Sequence, residues 1–283
     1  MKNNSVKISL LSNMLIFSLL LAGCTIKFSS GNNSKKFIKI VHMPPIQLSP
    51  GSSFETKSYN GSINVHGYDV TDCNVTATIT GYAPTIEEAE EAADETELNF
   101  EQTGNGLILK IDRPESARNR YVSVSLDVIL PDKVDLNLKS YNGRIEIENI
   151  TGQITATSNN GRIFVRDISG QTKLESHNGS VEAENIEGDI DFLSNNGRIK
   201  AEFSQTASPV TNITMISHNG SIDLVTPPNY SARADISTHN GSIESALPMT
   251  ISGKFSQTHL IGTIGDGQGE LKLQTNNGSI NIR

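Results

Sequence analysis

Eight times along the chain the same pattern returns: Ser or Thr, any residue, Asn, Gly, a variable position, then Ile or Val. The pairs are Asn60-Gly61, Asn142-Gly143, Asn160-Gly161, Asn178-Gly179, Asn196-Gly197, Asn219-Gly220, Asn240-Gly241 and Asn277-Gly278. Glycines 143, 161, 179 and 197 are spaced by 18, and the following intervals are 23, 21 and 37. A half-repeat lies inside the regular units: Gly152, Gly170 and Gly188 each follow an Asn-Gly glycine by nine residues and stand two places after Ile150, Ile168 or Ile186. Each unit therefore reads strand, turn, strand, turn.

Alternation picks out the inward face as Ile145, Ile147, Ile150, Ile154 and Ala156 in one unit, then Ile163, Val165, Ile168, Thr172 and Leu174, then Val181, Ala183, Ile186, Ile190 and Phe192. Period two means that one face of each strand is buried. A single unit cannot cover that face, whereas stacked units share a continuous core and pair their backbones at about 4.8 Å. The expected fold is mainly β: a β-solenoid of roughly 18-residue rungs with Asn-Gly corners. Asn-Gly is also the strongest short hairpin signal, so a meander of hairpins is the rival, and the uniform spacing favours the solenoid. In the stack, Asn142, Asn160, Asn178, Asn196, Asn219 and Asn240 should form a ladder beside a Ser/Thr column. Gly is expected to supply φ > 0 at the corner, where Asn tolerates left-handed geometry. The 37-residue interval reads as two rungs, the middle one degenerate over Thr258 to Ile264. The chain stops at Arg283 inside what reads as the final strand, so that edge is expected to be open and to pair with a second copy or a partner.

The 82-residue interval from the first copy to the second reads differently. Thr85-Ile86-Glu87-Glu88 is a capping-box pattern opening a short helix to about Asp94. Leu98 to Phe100 and Leu107 to Ile111 read as a hairpin around Gly104-Asn105-Gly106, and Tyr121 to Leu130 alternates until Pro131. Residues 37–139 are thus expected to form a β-rich N-terminal or capping region with one helix, and 140–283 the solenoid. Residues 24–36, with Ser29-Ser30-Gly31-Asn32-Asn33-Ser34, read as a flexible tether.

Residues 1–23 have the layout of a secretory signal: Lys2 and Lys7, then an apolar run from Ile8 to Leu21 broken by Ser9, Ser12, Asn13 and Ser18. The run ends in Leu21-Ala22-Gly23-Cys24, which resembles the lipobox of bacterial lipoproteins. That resemblance implies cleavage before Cys24, diacylglyceryl transfer to its thiol, and export to a lipid-anchored position on the cell membrane or the outer membrane. The absence of Asp after Cys24 favours the outer membrane by the same analogy. Cleavage leaves 260 residues with 21 bases against 31 acids. So acidic a chain is a poor candidate for nucleic acid. With Cys24 acylated, Cys73 has no disulfide partner, and in an alternating run it reads as a small core residue.

The lipobox, the Gly-x-Ile-x-Val strands and the stretch Ser62-Ile63-Asn64-Val65-His66-Gly67-Tyr68-Asp69 resemble the bacterial putative-adhesin family of β-strand repeat proteins, a family of unknown function. The similarity runs from about residue 50 to the end. It implies an extracytoplasmic β-solenoid and suggests surface adhesion, and it brings no catalytic residues.

Three side-chain groups invite chemistry. Carboxylates project outward at Glu146, Glu148, Asp167, Glu182, Glu184, Asp189, Asp191 and Asp223, yet acid–base work needs two held at a defined separation with divergent pKa values. These are scattered over several rungs in a chain without tryptophan, so a solvated face is the simpler reading. The residue before each ladder asparagine runs Tyr59, Tyr141, Asn159, His177, Asn195, His218 and His239, with His259 in the degenerate copy. If rungs stack in sequence order, His218 and His239 adjoin and form a weak metal or pH-sensitive pair. The position after each ladder glycine reads Arg144, Arg162, Ser180, Arg198, Ser221, Ser242: a stripe for acidic glycans or phosphate-bearing lipids, or more simply the counter-charge of Glu146, Glu182 and Glu184. The acidic run Glu87 to Glu97 has no calcium-loop pattern and reads as a solvated helix face. The Asn-Gly-Ser triplets match a glycosylation acceptor but read as turn chemistry. No nucleophile elbow, phosphate loop or zinc-helix motif is present.

These features point to a non-enzymatic envelope lipoprotein, a binding or scaffold module of adhesin type, without cofactor or metal. Its expected contacts are the membrane, through lipid on Cys24, a protein or glycan ligand on a solenoid face, and self-association through the C-terminal edge. A carbohydrate-active enzyme on the same scaffold and an envelope-stress or sensor accessory protein are the alternatives.

Overall fold

The computed structural model describes residues 24–28, 34–115, 119–252 and 256–283. The expected signal segment, residues 1–23, lies outside them. Among the described residues the chain forms two sheets of 13 and 12 strands and the helix Ile86–Asp94. Neither sheet closes into a barrel.

Each 18-residue unit contributes one strand to each sheet. In the first sheet Ile145–Thr151, Ile163–Ser169, Val181–Glu187 and Ile199–Phe203 are parallel neighbours, with Ile145, Ile163, Val181 and Ile199 in one row. In the second, Val134–Ser140, Ile154–Ser158, Thr172–Ser176 and Ile190–Ser194 do the same. The rows of Ile, Val, Leu and Phe fill the space between the sheets at 3% exposure or less. Each such side chain contributes about 1.5–3 kcal/mol on leaving water.

The parity of the inner face changes between Ile147 and Ile150 because Asn149 adopts φ 58°, as do Asp167 at 54° and Asn185 at 53° in the rungs that follow. One left-handed residue per rung shifts the alternation by one and turns the strand toward the other sheet. Asn and Asp adopt this conformation most readily after Gly. Asn185 Nδ2 donates to Asp167 Oδ1 at 2.5 Å and Asn149 Nδ2 to the Gly67 carbonyl at 2.6 Å, so this column is cross-linked from rung to rung.

The first Asn-Gly copy is a full rung. Ser52–Ser58 lies parallel to Val134–Ser140, and Ile63–Tyr68 to Ile145–Thr151, so the boundary expected at 139/140 falls within the stack. The intervening chain wraps this end. Tyr121–Pro131 pairs with Ile63–Tyr68 in parallel and with Asp72–Ala83 antiparallel, and Lys35–His42 follows. The hairpin Glu97–Thr103 and Gly106–Asp112 extends the second sheet. Thr85 caps the helix by accepting from the Glu88 amide at 3.2 Å, and buried Ala89, Ala92 and Ala93 seat it on Asp72–Ala83, where Gly81 leaves room for the Ala89 carbonyl. Cys24–Phe28 pairs antiparallel with Lys35–His42. Both ends of the expected tether are therefore laddered; its middle, 29–33, lies outside the described residues.

The other end departs from sequence order. Gly269–Asn277 lies between Ile213–Ser217 and Ala232–Asn240, and Ile280–Ile282 lies between Ile222–Val225 and Ile243–Ser245. The C-terminal strand is thus interior, paired on both sides, and an open C-terminal edge for self-association does not exist. His259–Ile264, expected as a degenerate rung, runs antiparallel to Ala232–Asn240 and, with Thr250–Ile251, covers the end of the second sheet. The first sheet ends in three residues, Ile243–Ser245, short enough to offer little template for a further strand.

Candidate binding surface

The Asn-Gly corners form one continuous edge. Each ladder asparagine after Asn60 donates from Nδ2 to Oδ1 of its neighbour: Asn142 to Asn60, Asn160 to Asn142, Asn178 to Asn160, Asn196 to Asn178, Asn219 to Asn196, Asn277 to Asn219 and Asn240 to Asn277, all at 2.7–2.8 Å. Beneath it, Ser158, Ser176, Ser194, Ser217, Thr275 and Thr238 donate to the carbonyl of a neighbouring rung's corner glycine at 2.8–3.1 Å. Two hydrogen-bond columns per corner hold the edge straight and in register.

The glycines serve a different purpose from the one expected. Of the eight, Gly61 alone has positive φ, at 120°. At the other seven, an added Cβ would strike the carbonyl of the glycine one rung away. Close backbone approach between rungs therefore selects glycine here, and the left-handed positions lie at the opposite turn.

The outward column at this corner reads in space Tyr59, Tyr141, Asn159, His177, Asn195, His218, Asn276, His239. The tyrosine rings stack at 4.8 Å and 3°, with the Arg113 guanidinium 4.1 Å over Tyr59. Both rings keep an exposed edge, 40% and 42%, but their faces cover one another. Asn276 separates His218 from His239, because the rung that follows in sequence is inserted between them. At twice the strand spacing, about 9.6 Å, the two imidazoles are too far apart to share one ion with metal–nitrogen bonds of about 2 Å. Among the described residues no group of three His, Cys, Asp or Glu gathers as a metal site.

The arginine stripe is neutralised in place. Arg144 pairs with Glu146 at 3.0 Å, Arg162 with Glu182 at 2.6 Å and Arg198 Nε with Asp223 at 2.7 Å. The remaining outward carboxylates are also engaged: Glu148 by Arg166 and His66, Glu184 by Lys200, Asp191 by Lys173, Asp189 by Asn212 and Asp167 by Asn185. No two are isolated as an acid–base pair. Burial works to raise the pKa of Asp223, and hydrogen bonds from Arg198 and Asn281, with the arginine's charge, outweigh it and hold the carboxyl below its ordinary value. Cys73 is fully buried beside Ile46, and burial pushes its thiol up to about 12. The acidic helix face is tied at Asp94 by Lys39, and at Glu91 and Glu95 by Arg120.

Two parallel sheets, stacked rung on rung with an asparagine-lined edge, define a β-solenoid-type protein whose regular outer faces are its main asset. Residues 123–283, more than half of the chain, match the family described as Toastrack DUF4097, and the chain belongs to that family. Among curated proteins no match was found. Similar solved structures include a putative cell adhesion protein from Clostridium sporogenes, 12% identical over 88% of this chain and 98% of that one, with a TM-score of 0.41. A putative adhesin from Bacteroides fragilis is 13% identical over 87% and 97%, with a TM-score of 0.38. A putative lipid binding protein from Parabacteroides distasonis is 11% identical over 89% and 98%, with a TM-score of 0.35.

Proposed function

We propose that this chain is an envelope lipoprotein that binds a ligand without transforming it, anchored through acyl groups on Cys24 and presenting the solenoid as a rigid adhesin-like surface. The observation that carries this reading is the side-chain order of the outer faces. The outward carboxylates of the central rungs are held by neighbouring bases and amides, polar columns run the length of the stack, and the lowered carboxyl of Asp223 is explained by a structural ion pair. A catalytic acid would need its carboxyl pushed upward.

Anchoring rests on the lipobox residues. Two or three acyl chains, at about 0.8 kcal/mol per buried methylene, hold a protein on a membrane where one chain does so marginally. The strand that Cys24 opens is hydrogen-bonded into the first sheet, so the lipid would emerge close to the wrapped N-terminal end. Among the described residues no helix is long and apolar enough to cross a membrane.

Radiolabelled palmitate fed to producing cells should enter the chain, and Cys24→Ser should abolish the label and release the protein to the soluble fraction. Purified protein lacking residues 1–24 should retain ligand and generate no new reducing or unsaturated ends from envelope or host polysaccharides. Turnover that disappears on replacing one carboxylate pair would overturn the non-enzymatic reading, and label persisting in Cys24→Ser would overturn the anchor.

A further inference from the structure

On the outer face of the second sheet, where the first rung meets the second and third, lies a groove of about 430 Å³. Its polar lining includes Glu55, Asp135, Asn137, Lys139, Gln153 and Thr155. Register places these side chains with little freedom: Asn137 sits between Glu55 and Thr155 on adjacent strands, and Asp135 adjoins Gln153, whose backbone N–H donates to Asp135 Oδ1 at 2.7 Å. Asn137 Oδ1 is buried without a hydrogen-bond partner, so part of its desolvation is uncompensated.

The next row along the same face is cationic. Lys57 and Lys139 are direct neighbours across the strands, both exposed, and neither forms an ion pair with a described residue. Like charges directly opposed on a sheet oppose its pairing. Lys173 and Asp191, which face each other, form an ion pair, and Glu184 and Glu202, which also face each other, share Lys200. Among the described residues the two lysines have no such counter-charge, and they stand two residues before the stacked Tyr59 and Tyr141.

The chemistry of the groove narrows its occupant. Glu55 and Asp135 call for hydrogen-bond donors and would repel a ligand densely covered in negative charge, which disfavours polyphosphate and nucleic acid. Asn137, Gln153 and Thr155 suit ligand groups that both donate and accept. The lysines require an anion. A sugar bearing a carboxylate satisfies all three demands, its hydroxyls facing the acids and amides and its acid group lying against the ammoniums. The volume falls within the range of about 300–1,000 Å³ typical of small-ligand sites.

We propose that this groove is a saccharide subsite for a glycan carrying carboxylates, with Lys57 and Lys139 holding the acid group and Glu55, Asp135 and Asn137 the hydroxyls. This deepens the reading of the chain as a non-enzymatic binding module and rests on it. The test is calorimetric titration of the purified chain lacking residues 1–24 with oligogalacturonate, neutral galacto-oligosaccharide and inorganic polyphosphate. Oligogalacturonate should bind best, and K57Q combined with K139Q should weaken it by about tenfold, as expected when a hydrogen-bonded charge loses its partner. Glu55→Gln should weaken it through the hydroxyls, while Lys272→Gln, on the same sheet several strands away, should leave it unchanged. Urea midpoints of these surface variants, expected to match the parent, separate lost binding from lost folding. Equal binding of the neutral sugar, tighter binding of polyphosphate, or an unaffected K57Q/K139Q variant would each overturn the groove. If the parent chain binds its cells or envelope and the groove variants bind as well, the subsite fails and the binding module stands. If the parent binds no glycan and no envelope component, both fail.

Discussion

Gly179 separates two accounts of the corner. If the corner needed a left-handed residue, Gly179→Ala would act through backbone strain. The structure gives Gly179 ordinary φ and places its added Cβ within 2.5 Å of the Gly161 carbonyl carbon, closer still to the oxygen, and 2.9 Å from the Arg162 amide nitrogen. All three obstacles are backbone held in the ladder, so two rungs must part to admit the methyl. Overpacking of this kind costs about 1–3 kcal/mol. Against it runs the gain of about 0.4–1 kcal/mol expected when alanine replaces a glycine of compatible φ, because the unfolded chain loses freedom. The net expectation is a loss of about 1–2 kcal/mol, read as a lower urea midpoint with unchanged slope. Gly104→Ala is the control: there φ is 63° with nothing within 4 Å, so its cost of about 1–2 kcal/mol is purely conformational. Gly104→Asn should recover part of that loss, and Gly179→Asn should be worse than Gly179→Ala. A Gly179→Ala protein as stable as the parent, or more so, would refute the close-approach account.

Other outcomes follow from single side chains. Asn178 gives one ladder hydrogen bond and receives another, at 2.7 and 2.8 Å, so Asn178→Ala should cost about 1–3 kcal/mol at about 0.5–1.5 per bond. Asn178→Asp should be worse at pH 7 than at pH 3, since an ionised Asp faces the Asn160 oxygen with no donor; thermal melts at the two pH values decide it. The lowered carboxyl of Asp223 stabilises the fold above its unfolded value of 3.8, and that contribution is lost as pH falls through and below it. Asp223→Asn should flatten the acid limb of a stability-versus-pH curve, and an unchanged limb would count against the Arg198 pair. Cys73, buried with its thiol pushed up to about 12, should resist thiol reagents at pH 8 in the native protein and react at once in denaturant.

The repeat was legible because its residues serve geometry that sequence records directly: vertical identity of Asn, Gly, Ser and Ile reports stacking, and period two reports the buried face. The capping box at Thr85 and the hairpin at Gly104-Asn105 were legible for the same local reason. The left-handed column was written in the chain as Glu148-Asn149-Ile150, Arg166-Asp167-Ile168 and Glu184-Asn185-Ile186, each breaking the alternation by one residue. A parity break followed by Asn or Asp was the available signal. The purpose of the corner glycines was hidden because it depends on a neighbouring rung's carbonyl, which no local pattern reports. The groove was hidden for a related reason: Lys57 and Lys139 are 82 residues apart in sequence and become neighbours through the return of the chain after its long excursion. Strand order at the far end was misread because the rungs of residues 213–225, 232–245 and 269–282 carry the same motif. The motif marks membership of the stack and is silent on position within it.

That order has a consequence for cooperativity. In a solenoid stacked in sequence, each ladder bond closes about one repeat, as between Asn160 and Asn142, 18 residues apart. Here Asn277 closes on Asn219 across 58 residues and Asn240 on Asn277 across 37. The 58-residue closure costs only about 1 kcal/mol more than an 18-residue one, but it makes two rungs depend on a third. Removing residues 280–283 would withdraw Ile280 and Ile282, both fully buried, from between Ile222–Val225 and Ile243–Ser245. It would also delete the pairing of Arg283 with Leu224 and Thr226 and that of Ile282 with Ala246. The lost apolar burial alone amounts to about 3–6 kcal/mol. Hydrogen exchange should then show protection lost in both flanking strands, while Val181–Glu187 keeps its own. An exposed edge strand would instead be trimmed at little cost, with exchange changing on one side only. Retention of parental stability and of protection at Ile243–Ser245 would show that the C-terminal strand does not lie between them.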